Sequence, residues 1–168
     1  MLLTPVVVWL LISGEYRFAL LVFCLAAGSD AIDGWLARVT DTKTDLGAHL
    51  DPLADKLLLI SVYTTLGISK LVPAWLVITV ISRDVLIVGG LLLAWFMGKP
   101  VEVKPIMISK ANTLAQIAFL ILVLVNLAFG VVAEPIIVIV AIIVVGLTII
   151  SGLAYLLAWF NHMSKPEA

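Results

Sequence analysis

The chain has 168 residues, 63% of them hydrophobic and 12% charged, with a mean hydropathy of +1.23. Soluble domains run at about 45–50% apolar and about 25% charged. So short a chain buries only about two-thirds of its surface, which leaves lipid as the solvent for the rest. The single cysteine, Cys24, excludes an internal disulfide, and the net charge of −1 excludes a basic nucleic-acid binder.

A membrane helix needs roughly 20 apolar residues. The first apolar run, Met1 to Ile12, is shorter than that and stops at Ser13-Gly14-Glu15. It lacks the basic start and cleavage site of a signal peptide; either this helix is short or the N-terminus is truncated, and the second is the expectation. The second run extends from Phe18 to about Ala37, and the polar stretch Arg38 to Asp45 follows it. The third covers about Leu46 to Ile68, with Ser69-Lys70 and Pro73 as punctuation. The fourth is Ala74 to Met97, followed by a loop with Lys99, Pro100, Glu102, Lys104 and Pro105. The fifth is about Ile106 to Val132, the sixth Pro135 to Phe160, and residues 161–168 form a polar tail expected to fray. Period-two alternation is lacking, so a membrane barrel is disfavoured. The expectation is an all-α polytopic membrane protein, one domain over residues 1–168, with six transmembrane helices.

With six spans, one side carries Arg38, Lys43, Lys99, Lys104, Lys110 and Lys165, and the other Arg17 and Lys70. The excess of six over two places the termini and the Arg38–Asp45 loop in the cytoplasm.

Of seven aspartates, six lie between Asp30 and Asp55. Ionisable groups in membrane helices are costly and face the bundle interior or a wet cavity. Asp30, Asp33, Gly34, Ala37 and Arg38 fall at i, i+3, i+4, i+7 and i+8, a single helical face. Gly47, Asp51 and Asp55 repeat this at i, i+4 and i+8, and only eight residues separate Arg38 from Gly47. The two acidic faces are therefore expected to meet, at the cytoplasmic end of the second and third helices. Four carboxylates at close range repel unless some are protonated or cations bind between them. An all-oxygen set suits Mg²⁺, Mn²⁺ or Ca²⁺, and four aspartates have room for two ions about 3.5–4 Å apart, as in phosphoryl chemistry. His49 and His162 are isolated and offer no zinc site. Gly34 and Ala37 leave space for a flat ligand against the backbone, and Arg38 is placed to grip a phosphate. Each residue also has a plainer reading. Gly and Ala permit close helix packing, a lone intramembrane Asp serves an ion pathway, and Arg38 and Lys43 serve as anchors. A small cation transporter accounts for acids in spans, but it needs neither the Gly and Ala spacing nor the arginine, and no internal repeat is visible.

The run Asp30-x2-Asp33-Gly34-x2-Ala37-Arg38-x8-Gly47-x3-Asp51-x3-Asp55 resembles the signature of the CDP-alcohol phosphatidyltransferases at all eight of its fixed positions. The resemblance extends to six spans with the motif across the second and third. It implies transfer of a phosphatidyl group from CDP-diacylglycerol to an alcohol, with release of CMP. Asp30, Asp33, Asp51 and Asp55 would bind the metals, two Mg²⁺ or Mn²⁺ ions, with Asp55 also the catalytic base. Gly34, Ala37, Arg38 and Gly47 would hold the nucleotide and its phosphates. Asp41 and Asp45, in the connecting loop, receive no role. The resemblance further implies a homodimer in a bacterial inner membrane.

The segment Ile81-Ser82-Arg83-Asp84-Val85 and the spacing Lys110, Thr113, Gln116 are similar to those of the cardiolipin synthase and phosphatidylglycerophosphate synthase branch. Their acceptors, phosphatidylglycerol and glycerol-3-phosphate, both carry a phosphate, which suits Arg83, Lys104 and Lys110 as acceptor contacts. Phosphatidylglycerol is the first expectation. Alternatively Arg83 forms an ion pair with an active-site acid or a helix end, Lys104 is an anchor, and Asn112, Thr113 and Gln116 are interhelical glue.

Overall fold

The apolar runs fold as helices, the one open-ended element in which every backbone polar group is satisfied without water. The computed structural model describes residues 3–39, 45–96 and 107–163, with side chains described at 3–29, 56–90, 93, 96 and 107–160. These residues form six α-helices: α1 (Thr4–Ile12), α2 (Tyr16–Val39), α3 (Asp45–Ile68), α4 (Ala74–Phe96), α5 (Met107–Phe129) and α6 (Glu134–Met163).

Local chemistry sets the ends. Pro5 sits in the first turn of α1, where its missing N–H costs no helical bond. Gly14 adopts φ +76° and closes α1 with two reverse bonds, Gly14 N–H to the Leu11 carbonyl and Glu15 N–H to the Leu10 carbonyl. Lys70 repeats this device after α3 at φ 57°, bonding back to the Gly67 carbonyl, an unusual conformation for a side chain with a Cβ. Gly130 at φ +65° ends α5 at Phe129, three residues before the expected Val132. Its N–H bonds to the Asn126 carbonyl, while the Asn126 side chain accepts from Val132 N–H. At the other end of the chain α6 runs through His162 to Met163, past the expected fraying point, with Glu134 in its first turn complementing the helix dipole.

The helices gather into two units. The first comprises residues 1–73 and 120–133, the second residues 74–119 and 134–168, so that α5 contributes a half to each. In the first unit α1 packs on both α2 and α3, and α2 touches α3. Its buried residues recur at helical spacing: Val7, Leu10 and Leu11 on α1, Ala19, Phe23 and Ala26 on α2, Leu58, Leu59, Val62, Tyr63 and Leu66 on α3. In the second unit α4 packs along α6, burying Leu76, Val77, Val80, Ala141 and Val144.

α5 and residues Glu134–Phe160 of α6 are each long and apolar enough to cross a membrane. On α6, Ile139, Ile142, Ile149, Leu153, Leu157 and Phe160 are all exposed, a surface that hydrocarbon solvates and water does not. α1 differs from the other five. Its nine residues rise about 14 Å, roughly half a hydrocarbon core.

Candidate active site

Asp30, Asp33, Gly34, Ala37 and Arg38 fall within the continuous helix α2, and Gly47, Asp51 and Asp55 within α3. The backbone thus has the helical form on which the one-face spacing depends, in two helices of one unit that touch each other. The side chains at these eight positions lie outside the described residues, as do those of Asp41, Asp45, His49 and His162 and the whole of Lys104. Among the described residues no group of three or more His, Cys, Asp or Glu side chains is gathered for a metal. The chemistry of the donor set fits a hard divalent cation, since four carboxylates carried by two touching helices supply only oxygen. Pro52, eight residues into α3, has no N–H to return to the carbonyl of residue 48, so the helix forgoes a bond beside Asp51.

The second unit carries a buried polar cluster. Arg83 of α4 is 5% exposed and Asp84 is 2% exposed. The Arg83 Nη1 donates to Asp84 Oδ1 at 2.6 Å. Its Nη2 donates to Ser109 Oγ of α5 at 2.5 Å and to Ser151 Oγ of α6 at 2.9 Å. The guanidinium also lies 5.7 Å from the centre of the Tyr155 ring, within cation–π range. Gly152 lies beside the arginine stem; a Cβ there would stand 3.6 Å from Arg83 Cγ, an ordinary contact. Arg83 thus joins three helices through one planar fork, and Asp84 neutralises it. The ion pair of Arg83 is with the adjacent acid, neither a motif aspartate nor a helix end. One donor is left over: Arg83 Nε is buried and has no partner among the described residues.

One helical turn along, Asn112 of α5 and Thr148 of α6 form a second layer. Thr148 Oγ1 lies 2.9 Å from Asn112 Oδ1 and 2.7 Å from its own Val144 carbonyl, and Gln116 Nε2 donates to it at 3.4 Å. Asn112 is fully buried, and its Nδ2 has no partner among the described residues. Asn112 and Gln116 therefore hydrogen-bond across helices, whereas Thr113 bonds only to the Ser109 carbonyl of its own helix at 3.1 Å. Lys110 is exposed in the first turn of α5. Sequence reasoning missed Thr148, Ser151 and Tyr155. Their signal was a polar stripe at i, i+3 and i+7 in an otherwise apolar helix.

The family described as CDP-alcohol phosphatidyltransferase matches residues 1–161. The chain belongs to this family of transferases. It is 36% identical over 142 residues to a human protein named cardiolipin synthase (CMP-forming), covering 75% of this chain and 46% of the relative. It is 38% identical over 136 residues to a Bacillus subtilis protein named CDP-diacylglycerol–glycerol-3-phosphate 3-phosphatidyltransferase, covering 80% of this chain and 69% of the relative. A chloroplast protein of rice with the latter name is 34% identical over 143 residues, covering 75% of this chain and 44% of the relative. The chain thus spans about half the length of the human and rice relatives.

Proposed function

We propose that the chain is the membrane-embedded catalytic domain of a CDP-diacylglycerol-dependent phosphatidyltransferase of phospholipid synthesis, with phosphatidylglycerol as acceptor and cardiolipin as product. The observation that carries this reading is the eight-position motif, intact and borne on two touching helices. Asp30, Asp33, Asp51 and Asp55 would hold two Mg²⁺ or Mn²⁺ ions, which when bound neutralise the diphosphate and stabilise the leaving CMP. Gly34, Ala37 and Gly47 leave room for the cytidine nucleotide, and Arg38 grips its phosphates. Asp55 takes the proton of the acceptor hydroxyl as its oxygen forms a bond to the phosphatidyl phosphorus. The bridging P–O bond breaks, and CMP departs with that electron pair. Arg83, Lys104 and Lys110 are assigned to the phosphate-bearing acceptor. The exposed apolar faces keep the acyl chains and the protein in the same bilayer, the inner membrane of a bacterium, with the site and both termini cytoplasmic and the protein a homodimer.

A second reading takes glycerol-3-phosphate as acceptor. It is favoured by the fuller coverage of the B. subtilis relative.

The test is a competition. Purified full-length chain receives labelled CDP-diacylglycerol, Mg²⁺, phosphatidylglycerol and glycerol-3-phosphate, and the lipid product is identified. Labelled cardiolipin is expected. Phosphatidylglycerophosphate as sole product moves the assignment to the second acceptor. CMP release with neither acceptor nor any other alcohol overturns phosphatidyl transfer.

A further inference from the structure

We propose that Asn112, oriented by Thr148, reads the non-reacting hydroxyl of a polyol phosphate acceptor and so sets acceptor specificity. The inference rests on the phosphatidyl-transfer reading above and deepens it. It starts from proton accounting. Thr148 has one hydroxyl proton and two acceptors within reach, the Val144 carbonyl at 2.7 Å and Asn112 Oδ1 at 2.9 Å. If the proton goes to Asn112, the amide's Nδ2 is left unpaired. If it goes to Val144, the amide must turn its NH₂ toward Thr148, and the carbonyl oxygen is left unpaired instead. Either way one polar end of a fully buried side chain has no partner. Native proteins rarely leave such an atom empty, and where they do a functional role is a standard cause.

Arg83 Nε–H is a second buried donor without a partner among the described residues. Ser109, which Arg83 holds, precedes Asn112 by three residues on α5, and Ser151 follows Thr148 by three on α6. Arg83, of α4, is therefore held at Ser109 and Ser151, one turn from Asn112 on α5 and from Thr148 on α6. A hydroxyl both donates and accepts, so it satisfies Asn112 in either orientation. A second oxygen of the same ligand is the kind of group that Arg83 Nε, a donor only, would take. Glycerol-3-phosphate and the phosphatidylglycerol head group share this chemistry: a phosphate on a three-carbon chain ending in a vicinal diol. Its primary hydroxyl reacts, and its secondary hydroxyl is left for recognition. Sites that hydrogen-bond a substrate hydroxyl discriminate strongly against analogues lacking it, because the protein atom is then left unpaired.

The experiment uses the full chain in phospholipid–detergent micelles, with CDP-diacylglycerol as donor and CMP release as readout. Four acceptors are compared in two pairs: glycerol-3-phosphate with 3-hydroxypropyl phosphate, and phosphatidylglycerol with phosphatidyl-1,3-propanediol. Each second member lacks only the middle hydroxyl. The wild type is expected to prefer the diol of one pair by about 10- to 100-fold in kcat/KM, and which pair shows it identifies a soluble or a lipid acceptor. Asn112→Leu is expected to abolish that preference and leave KM for CDP-diacylglycerol unchanged. Thr148→Val, which keeps the side-chain shape but frees the amide, is expected to weaken it, and decides the matter should the leucine variant fail to fold. Equal use of both members by the wild type overturns the proposal, as does a preference that survives in both variants. Absence of CMP release with all four acceptors fells the transfer reading itself, and this proposal with it.

Discussion

The buried polar and charged side chains among the described residues are Arg83, Asp84, Asn112, Gln116, Thr148 and Ser151, and all six belong to the unit of α4, α6 and the first half of α5. In the unit of α1, α2, α3 and the end of α5, the described buried residues are apolar apart from the Tyr63 hydroxyl. Yet this first unit carries the eight motif positions, confined to the end of α2 and the start of α3. One unit thus reads as an apolar scaffold holding ionic chemistry at helix ends. The other threads polar chemistry through the middle of its helices. The difference teaches where each kind of group is affordable. Charges near a helix end reach water or metal, whereas charges in mid-helix persist only when they satisfy one another.

The largest effect expected on this contrast is at Asp55. Asp55→Asn keeps size and helix but removes the base, and should slow CMP release by about 10²–10⁴-fold while CDP-diacylglycerol binding survives. A variant with normal turnover would place the base elsewhere and leave the acidic stripe a purely metal-holding one. Next comes the arginine of the other unit. Arg83→Met removes the charged partner at 2.6 Å from a buried carboxylate and should cost about 3–5 kcal/mol in a denaturation measurement. Adding Asp84→Leu should recover much of that, because a matched apolar pair replaces a matched ionic one. If Arg83→Met is as stable as the wild type, the cluster is not held together by its ion pair, and the distinction between the units loses its basis.

The two clusters were unequally legible in the sequence. The motif could be read because helical spacing converts i, i+4 and i+8 directly into a shared face, with no knowledge of other helices needed. The same periodicity and the Gly, Ser and Pro punctuation located all six helices, missing mainly where backbone conformation decides, as at Gly130, whose left-handed φ stops α5 early. The Arg83 cluster obeys no spacing rule. Its partners stand 26 and 68 residues away, on two other helices. The sequence offers Arg83 as an acceptor contact or an ion-pair member, but its neutralisation by Asp84 and its tie to Ser151 depend on packing, which periodicity does not encode. Thr148 and Ser151 look, in the sequence, like polar residues a long apolar helix merely tolerates. Their role appears only once α5 lies beside them.

A smaller effect tests how the second unit is held together away from its charges. Trp159 Nε1 donates to the Gly90 carbonyl at 3.0 Å, joining α6 to α4 one region beyond the arginine. Trp159→Phe keeps an aromatic ring and loses that bond, and should cost about 1 kcal/mol. Gly90→Ala should be tolerated, since its Cβ would meet Trp159 Cδ1 at 3.7 Å, an ordinary contact. A loss from Gly90→Ala larger than that from Trp159→Phe would mean that backbone approach, not the hydrogen bond, sets this interface.

The smallest effect belongs to the apolar unit, at its exposed arginine. Arg17 Nε donates to the Ala128 carbonyl at 3.3 Å, and its guanidinium lies 5.6 Å from the centre of the Phe129 ring. Both contacts are at the last turn of α5, where unbonded carbonyls and the negative end of the helix dipole favour a cation. Water reaches Arg17, so Arg17→Met should cost only about 0.5–1 kcal/mol in denaturation, and raising the salt concentration should shrink that further. Arg83→Met, buried, should be nearly indifferent to salt. The pair of salt series therefore measures the contrast directly. Should Arg17→Met prove as costly and as salt-insensitive as Arg83→Met, a polar clamp would be holding the first unit as well, and its stability could no longer be credited to apolar packing alone.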